Sequence, residues 1–220
     1  MKKQIPKEIK CVIFDMDGVI IDSEEIHKKA YYETFNSIGV TVSDELYKTF
    51  TGSSTINAFQ KLVAHFKLNL KPEDLVLDKR KRYVNFFEND PTLHLVKGVE
   101  DLIKYCHKKG VTLILASSSA MVNIDRVFNR FDLNPYFTAK ISGADLKESK
   151  PHPEIFEKAA LLGKTAKEHC IVIEDSDNGV KAANDAGIFV IGFANPLSEG
   201  QTLKSADFIV NNFKRLMKMV

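Results

Sequence analysis

Short apolar runs alternate with helical segments along much of the chain, and this alternation limits the possible folds more than any other feature. Six runs have the length of a strand and lie at residues 11–14, 111–116, 137–141, 170–173, 189–191 and 208–210. Strands that alternate with helices form a parallel sheet, and strands that are apolar throughout are buried on both faces. The sequence therefore predicts an α/β fold with a Rossmann-like parallel-sheet core.

A long segment without a strand pattern separates the first apolar run from the second. A helix that starts at Ser23, a favourable N-cap residue, opens this segment, and apolar residues then recur at helical intervals. The first strand needs the later strands to complete its sheet, so the segment cannot be a separate N-terminal domain. We predict a discontinuous core domain of residues 1–20 and 91–220, with an α-helical cap domain of residues 21–90 above the sheet.

The charges of the chain are nearly balanced, with 31 Lys and Arg against 29 Asp and Glu. This balance gives no indication of a nucleic-acid or membrane surface, and we expect neither partner. The densest charged stretch, residues 78–82, includes Lys79 and lies inside the predicted cap. We interpret it as the solvated face of a helix, because no aromatic residue is interleaved with it as in a nucleic-acid groove.

Length and cysteine content are those of an ordinary globular protein. The chain has 220 residues, no apolar stretch as long as a membrane span and no apolar signal-peptide core near its start, so we expect a cytoplasmic location. The three cysteines, Cys11, Cys106 and Cys170, are far apart and odd in number. They indicate buried free thiols rather than a disulfide framework or a zinc cluster.

Two carboxylates follow the first apolar run, where charge is unusual. Asp15 and Asp17 are separated by one residue, and Gly18 then begins a turn. Side chains alternate along a strand, so both acids point the same way and repel each other unless a cation lies nearby. A polar turn is the simpler interpretation of this stretch alone, since Asp and Gly favour turns.

Other stretches place polar groups at the same edge of the predicted sheet. In an open parallel sheet, ligands bind beyond the carboxyl ends of the strands. Each stretch alone fits an ordinary turn, but together they put acids, a lysine and a serine on one rim, where the acids need a cation to coexist. The residues are Asp15, Asp17, Ser117, Lys150, Glu174 and Asp175.

The side chains on this rim indicate a metal ion and an anionic, phosphoryl-bearing substrate. Carboxylates without a nearby cysteine or His pair select a hard, oxygen-loving ion, for which Mg²⁺ is the best fit. Residues 117–119 provide a hydroxyl and backbone N–H groups at a helix start, which form an anion site, although three serines also make a strong helix cap. Lys150 is aimed by a stiff Lys-Pro-His-Pro segment, unless it is a solvent-facing lysine before a turn.

The chain resembles the haloacid dehalogenase-like hydrolases, in the branch that has an α-helical cap inserted after the first strand and includes the β-phosphoglucomutases and the sugar-phosphate phosphatases. It is similar over nearly its whole length and carries all four motifs in order. These are the segment 15–19 with both aspartates, Ser117 after a hydrophobic strand, Lys150 before Pro151, and the acidic segment 174–179. The resemblance implies the fold of that family and its phosphoryl-transfer chemistry.

The resemblance also implies a role for each motif residue. Asp15 would be the nucleophile and Asp17 the general acid and base, which disfavours carbon–halogen hydrolysis because dehalogenase members lack the second aspartate. Ser117 and Lys150 would stabilise the transferring group. The ligands implied for Mg²⁺ are Asp15, the backbone carbonyl of Asp17 and Asp175, with Glu174 assisting.

Three further positions bear on the substrate. His27 falls where β-phosphoglucomutases have a histidine that couples cap closure to Asp17, and many phosphatases share it. Mutases usually follow the cap-loop glycine, here Gly52, with an arginine that grips a distal phosphate, but residues 53–55 contain none. This difference favours hydrolysis, and we take His27, Gly52 and Ser118 as candidate substrate-binding residues.

We predict a Mg²⁺-dependent phosphatase that hydrolyses a small phosphorylated metabolite, a sugar or polyol monophosphate, through an aspartyl-phosphate. The alternative is a mutase of the β-phosphoglucomutase type. An alternative from a different class is a protein that binds a phosphorylated metabolite without turnover. Such a protein would have no chemical reason to retain both aspartates and the lysine.

Overall fold

The computed structural model describes residues 3–50, 53–198 and 200–220, and its centre is a parallel sheet. The sheet has the order β3-β2-β1-β4-β5-β6, and every neighbouring pair is parallel. This is the strand order of the Rossmann fold, so the predicted α/β class is confirmed. The strands are β1 (Cys11–Phe14), β2 (Thr112–Ser117), β3 (Ala139–Ser142), β4 (Cys170–Glu174), β5 (Phe189–Phe193) and β6 (Phe208–Val210).

Strand β1 shows why the apolar runs are continuous. It lies between β2 and β4, and all four of its residues are fully buried. Val12 and Phe14 pack into the apolar layer on one face of the sheet, and Cys11 and Ile13 pack into the layer on the other. Helices therefore cover both faces, as the runs predicted. The prediction for the cysteines is also confirmed, because all three are buried and free.

The third strand begins later than predicted. The apolar run at residues 137–141 indicated a strand from Phe137, but β3 starts at Ala139. The Phe137 ring instead packs edge-on against Phe14, with 5.7 Å between the ring centroids. Phe137 packs in the core without pairing in the sheet, so its apolar character alone placed the start of the strand too early.

The described residues form nine α-helices. The sequence predicted a helical segment up to residue 90 but did not mark the short helix α2 within it. None of the described helices combines the length and apolarity needed to cross a membrane. The helices are α1 (Glu24–Ser37), α2 (Asp44–Lys48), α3 (Thr55–Phe66), α4 (Pro72–Asn89), α5 (Val99–Lys108), α6 (Met121–Arg130), α7 (Glu154–Leu162), α8 (Asp177–Asp185) and α9 (Lys214–Met217).

Helices α1 to α4 lie between β1 and β2 in the chain, within what we call the inserted segment, residues 21–90. They enclose an apolar cluster of their own, which includes Phe35, Phe59 and Leu62. Helices α1 and α4 pack against each other, and Ile26 on α1 also joins the main core. The division into a core domain and a cap domain stays a prediction, but this packing brings α1 and α4 close to the carboxyl edge of the sheet.

The interpretation of residues 78–82 as a solvated face is wrong for Lys79. Its side chain lies on the buried face of α4 in the same row as Leu75 and Tyr83, four residues away on either side, and is only 2% exposed. The surface part of the stretch behaves as expected, because Arg82 pairs with Asp78 at 2.7 Å. Successive residues of a helix point in different directions, so a stretch of five residues can place Lys79 on the buried face and Arg82 at the surface.

Candidate active site

The site is built where the order of the strands reverses. Strand β1 is followed along the sheet by β2 on one side and by β4 on the other, which is where open α/β sheets bind ligands. Asp15 directly follows β1, and its backbone N–H donates to the carbonyl of Ile173 at 3.0 Å. Glu174 ends β4 and Ser117 ends β2. Three motif residues are therefore fixed to one rim by the sheet itself.

Lys150 is a buried cation beneath this rim. Its Nζ donates to Asp15 Oδ1 at 2.5 Å, to Glu174 Oε1 at 2.8 Å and to the carbonyl of Ala116 at 2.8 Å. Burial alone would lower the pKa of Lys150, but the two carboxylates outweigh it and hold the pKa above its ordinary value. The alternative of a solvent-facing lysine is excluded, because the residue is 1% exposed.

Asp15, Glu174 and Asp175 form a buried group of three carboxyls. One oxygen from each lies within 4.8 Å of the others. Burial, with the charges of Glu174 and Asp17 added to it, raises the pKa of Asp15 to about 8 despite the opposing effect of Lys150. Burial and the two neighbouring carboxylates also raise the pKa of Asp175. This all-oxygen group fits Mg²⁺, whose charge would relieve the repulsion. The side chain of Asp17 lies outside the group.

Two glycines make room for these carboxyls. A Cβ on Gly18 would lie 2.0 Å from Asp175 Oδ2, and one on Gly179 would lie 1.8 Å from Glu174 Oε1. Gly18 also has a φ of +79°, which side chains disfavour. The other oxygen of Glu174 accepts from the backbone N–H of Ser176 at 3.0 Å and from its hydroxyl at 2.9 Å. The glycines of the motifs are thus required by close approach of the acidic side chains.

Asp17 has a different environment from Asp15. It accepts hydrogen bonds from the hydroxyls of Ser23 at 2.5 Å and Ser119 at 2.8 Å, and His27 Nε2 lies 3.1 Å from it. Burial opposes ionisation, but His27 and these hydrogen bonds outweigh it and hold the pKa of Asp17 well below its usual range. Ser23 occupies the predicted N-cap position without making a side-chain cap bond, because its hydroxyl is directed to Asp17 instead.

His27 connects Asp17 to Lys79. The Nζ of Lys79 lies 2.7 Å from His27 Nδ1. An ammonium has only donors, so Nδ1 is the acceptor and Nε2–H donates to Asp17. Burial and the Lys79 charge lower the pKa of His27, and burial lowers the pKa of Lys79 to about 8. The sequence signal for Lys79 was its helical spacing from Leu75 and Tyr83.

A cavity above the rim brings most of the predicted residues together. Ser118 lines it, and Ser117 Oγ accepts from the backbone N–H of Ser119 at 3.0 Å. The serines precede α6 rather than opening it, because Ala120 is the N-cap residue. Gly52 lies outside the described residues. The inserted segment contributes Glu24, His27, Tyr31, Tyr47, Phe50, Ser53, Thr55 and Lys79, and the rim contributes Asp15, Asp17, Ser117, Ser118, Ser119 and Asp175.

Glu24 is an acid of the cavity that sequence reasoning treated only as part of a helix start. It lies on the first turn of α1, and burial, together with the charge of Asp17, raises its pKa to about 7. Within the described parts of the chain, no side chain or backbone group donates a hydrogen bond to it. Its carboxyl is therefore available to a ligand in the cavity.

Comparisons with known proteins agree with this geometry. The chain matches the haloacid dehalogenase-like hydrolase family over residues 12–193. It is 33% identical to hexitol phosphatase B of Escherichia coli, with 82% of each chain covered, and 28% identical to beta-phosphoglucomutase of Bacillus subtilis, with 92% of this chain and 89% of the relative covered. Its fold is similar to the crystal structure of CbbY from Rhodobacter sphaeroides in complex with phosphate.

That structure has a TM-score of 0.83 and 26% identity, and the similarity covers 94% of this chain and 96% of the other. The family match includes the inserted segment, the residues of the rim and strands β2 to β5, and it begins within β1. The resemblance drawn from the four motifs is therefore confirmed, and the chain belongs to the haloacid dehalogenase-like hydrolases, in the branch of sugar-phosphate phosphatases and β-phosphoglucomutases.

Proposed function

We propose that this enzyme is a Mg²⁺-dependent phosphatase that hydrolyses a small phosphorylated metabolite through an aspartyl-phosphate on Asp15. The observation that carries the proposal is the contrast between two neighbouring carboxyls. Asp15 lies against the buried ammonium of Lys150 and belongs to the group of three carboxyls that fits Mg²⁺, whereas the side chain of Asp17 lies outside that group and is bound by two hydroxyls and an imidazole. Neighbouring carboxyls in different environments are typical of pairs with different catalytic roles.

In the first step, an oxygen of Asp15 forms a bond to phosphorus while the bond to the leaving alcohol oxygen breaks. Lys150 orients the attacking carboxylate. Asp17 gives its proton to the leaving oxygen, and the negative phosphoryl group bound beside it raises its pKa for this role. Mg²⁺, held by Asp15, Asp175 and the backbone carbonyl of Asp17 with Glu174 assisting, would supply positive charge that keeps Asp15 ionised and offsets the phosphoryl charge.

In the second step, a water molecule attacks the phosphorus of the aspartyl-phosphate. Asp17, which is now ionised, accepts a proton from the water, and the bond between phosphorus and Asp15 breaks. Inorganic phosphate leaves and both carboxyls return to their starting state. Ser117 and Ser118, at the end of β2, would bind the phosphoryl oxygens through both steps.

The wall of the cavity favours an uncharged alcohol as the leaving group. Among its described lining residues, the basic side chains are Lys79, which already binds His27, and His27, which also binds Asp17. A second phosphate would therefore meet the carboxyl of Glu24 rather than a cation. The rest of the wall from the inserted segment combines aromatic rings, Tyr47 among them, with small hydroxyl side chains. These features support a sugar or polyol monophosphate, the substrate class indicated by the name of the hexitol phosphatase relative.

A phosphosugar mutase is the second candidate, favoured by the beta-phosphoglucomutase relative and by the contact between His27 and Asp17. The two functions differ in the fate of the phosphoryl group. A mutase must hold a bisphosphate while it reorients, and the missing arginine in residues 53–55 removes the expected grip on the distal phosphate.

The test is phosphate release from a panel of sugar and polyol monophosphates in Mg²⁺, ranked by kcat/KM, with Asp15→Asn as the matched inactive control. We expect release from several members of the panel and none from the control. Hydrolysis of p-nitrophenyl phosphate no faster than the control would refute the enzyme and leave a binding protein. Conversion of β-glucose 1-phosphate to glucose 6-phosphate in the presence of the 1,6-bisphosphate, without free phosphate, would establish the mutase instead.

A further inference from the structure

The turn that follows β5 reaches the acidic group, although it belongs to none of the four motifs. Its Ser198 hydroxyl donates a hydrogen bond to Oδ2 of Asp175. Both side chains are buried, with Ser198 8% and Asp175 3% exposed. A buried hydroxyl that binds one oxygen of a candidate metal ligand can fix the orientation of that ligand.

The two oxygens of Asp175 have different surroundings. Oδ2 lies against both the backbone of Gly18 and the hydroxyl of Ser198. A Cβ added to Gly18 would lie 2.0 Å from Oδ2 and 3.1 Å from the serine oxygen. No other hydrogen bond reaches the Asp175 side chain from residues 3–50, 53–198 and 200–220. The Oδ1 atom is therefore the oxygen left for a cation.

The turn itself is tied to the loop that carries the catalytic aspartates. Asn195 Nδ2 donates to the carbonyl of Gly18 at 2.8 Å and to Asp22 Oδ1 at 3.2 Å. Within the turn, the Ser198 N–H donates to the Asn195 carbonyl at 3.1 Å, and the Leu197 N–H donates to Asn195 Oδ1 at 2.9 Å. Asn195 is 9% exposed, so these bonds are largely protected from water. They hold the Ser198 hydroxyl at a fixed distance from the acidic group.

We propose that Ser198 is a positioning residue for the metal site: its hydroxyl holds Oδ2 of Asp175 so that Oδ1 faces the divalent cation. The inference rests on the Mg²⁺ dependence proposed above and adds a residue from outside the motifs. Removing a partner that orients a metal ligand typically weakens metal binding by about 10–100-fold. A serine that only fills space would have no such effect, because alanine fills nearly the same volume.

The experiment is calorimetric titration of Mg²⁺ into metal-free protein, which does not depend on turnover. We expect Ser198→Ala to raise the Kd for Mg²⁺ by about tenfold or more. Ser198→Thr, which keeps the hydroxyl, should restore binding to within about threefold of wild type, and Ser205→Ala, at an exposed serine later in the same connection, should leave it unchanged. Melting temperatures measured without Mg²⁺ verify that each variant is folded.

In parallel, the Mg²⁺ concentration for half-maximal hydrolysis of p-nitrophenyl phosphate should rise in Ser198→Ala, whereas the KM at saturating Mg²⁺ should not. A folded Ser198→Ala that binds Mg²⁺ within twofold of wild type would overturn the inference, as would a wild type that binds no Mg²⁺. Should Ser198→Ala not fold, Ser198→Cys, a weaker donor of similar shape, must show the increased Kd or the inference fails. Normal Mg²⁺ binding without phosphate release would refute only the proposed phosphatase.

Discussion

Replacing Lys150 with methionine removes the cation that neutralises the floor of the site. Methionine has a similar length, so the change leaves little cavity but deletes three hydrogen bonds, to Asp15, to Glu174 and to the carbonyl of Ala116. Two buried carboxyls then lose their only ammonium partner among the described residues. Breaking a buried ion pair by removing one partner costs about 3–5 kcal/mol. We expect the free energy of unfolding of Lys150→Met to fall by this amount in metal-free buffer.

The assay is urea unfolding in EDTA, with a thermal scan as a second measurement. For a chain of this size, about 1 kcal/mol shifts Tm by about 2–4 °C, so a decrease of roughly 10 °C is expected. The cost arises from uncompensated charge, so it should shrink when one carboxylate is neutralised. In the Asp15→Asn background, Lys150→Met should cost at least about 1 kcal/mol less, because residues in direct contact are coupled.

Under the proposed mechanism hydrolysis should be lost as well, because Lys150 would no longer hold the carboxylate of Asp15. A Lys150→Met protein as stable as wild type in EDTA would refute the electrostatic reasoning. Equal costs of Lys150→Met in the wild-type and in the Asp15→Asn background would refute it too, because loss of packing alone does not depend on the charge of a neighbour.

Three further outcomes are expected. Gly18→Ala should abolish phosphate release and destabilise the fold, because its Cβ would lie 2.0 Å from a carboxylate oxygen of Asp175. The control Gly39→Ala, at a φ of +70° with nothing within 4 Å of the added Cβ, should cost only the backbone strain of about 1 kcal/mol and keep full kcat. The pKa of Glu24 is raised in the folded state to about 7, above its ordinary 4.5, so protonated Glu24 contributes stability at low pH that is lost as the pH rises from about 4.5 to about 7. In urea unfolding, the free energy of unfolding should therefore decrease less between pH 5 and pH 8 for Glu24→Gln than for wild type. Lys79→Met should lower kcat at least tenfold and destabilise the fold by about 1–3 kcal/mol, because it leaves the buried Nδ1 atom of His27 without its donor. Normal kcat in steady-state assays of this variant would contradict the role of Lys79.

The sequence predicted those parts of the molecule that follow from local patterns. Apolar runs that are buried on both faces led to the sheet, and acids placed after Phe14 and Ile173 led to the rim, because the carboxyl ends of parallel strands meet at one edge. Lys150 could be placed on that edge, but its burial and its three acceptors depend on contacts between distant segments.

Other site residues gave weaker signals or none. Lys79 looks like a surface lysine in a charged run, and only its spacing from apolar neighbours on α4 indicates burial. Ser23 and Ser119 are ordinary helix-start residues by sequence, and their hydroxyls bind Asp17 because folding brings a carboxylate within reach. Ser198 lies in a turn whose contact with Asp175 cannot be deduced without the fold.

The central position of β1 has a consequence for the order in which the protein assembles. Both of its neighbours come from much later in the chain, with Cys11 beside Thr112 and Cys170, and the contact between Lys150 and Asp15 spans 135 positions. Synthesis proceeds from the N-terminus, so Asp15 leaves the ribosome long before either neighbouring strand exists. Helices α1 to α4 can form local contacts in the meantime, whereas the apolar β1 must wait for closure of two long loops. We therefore expect the rim to assemble late, once β1 has paired with both β2 and β4.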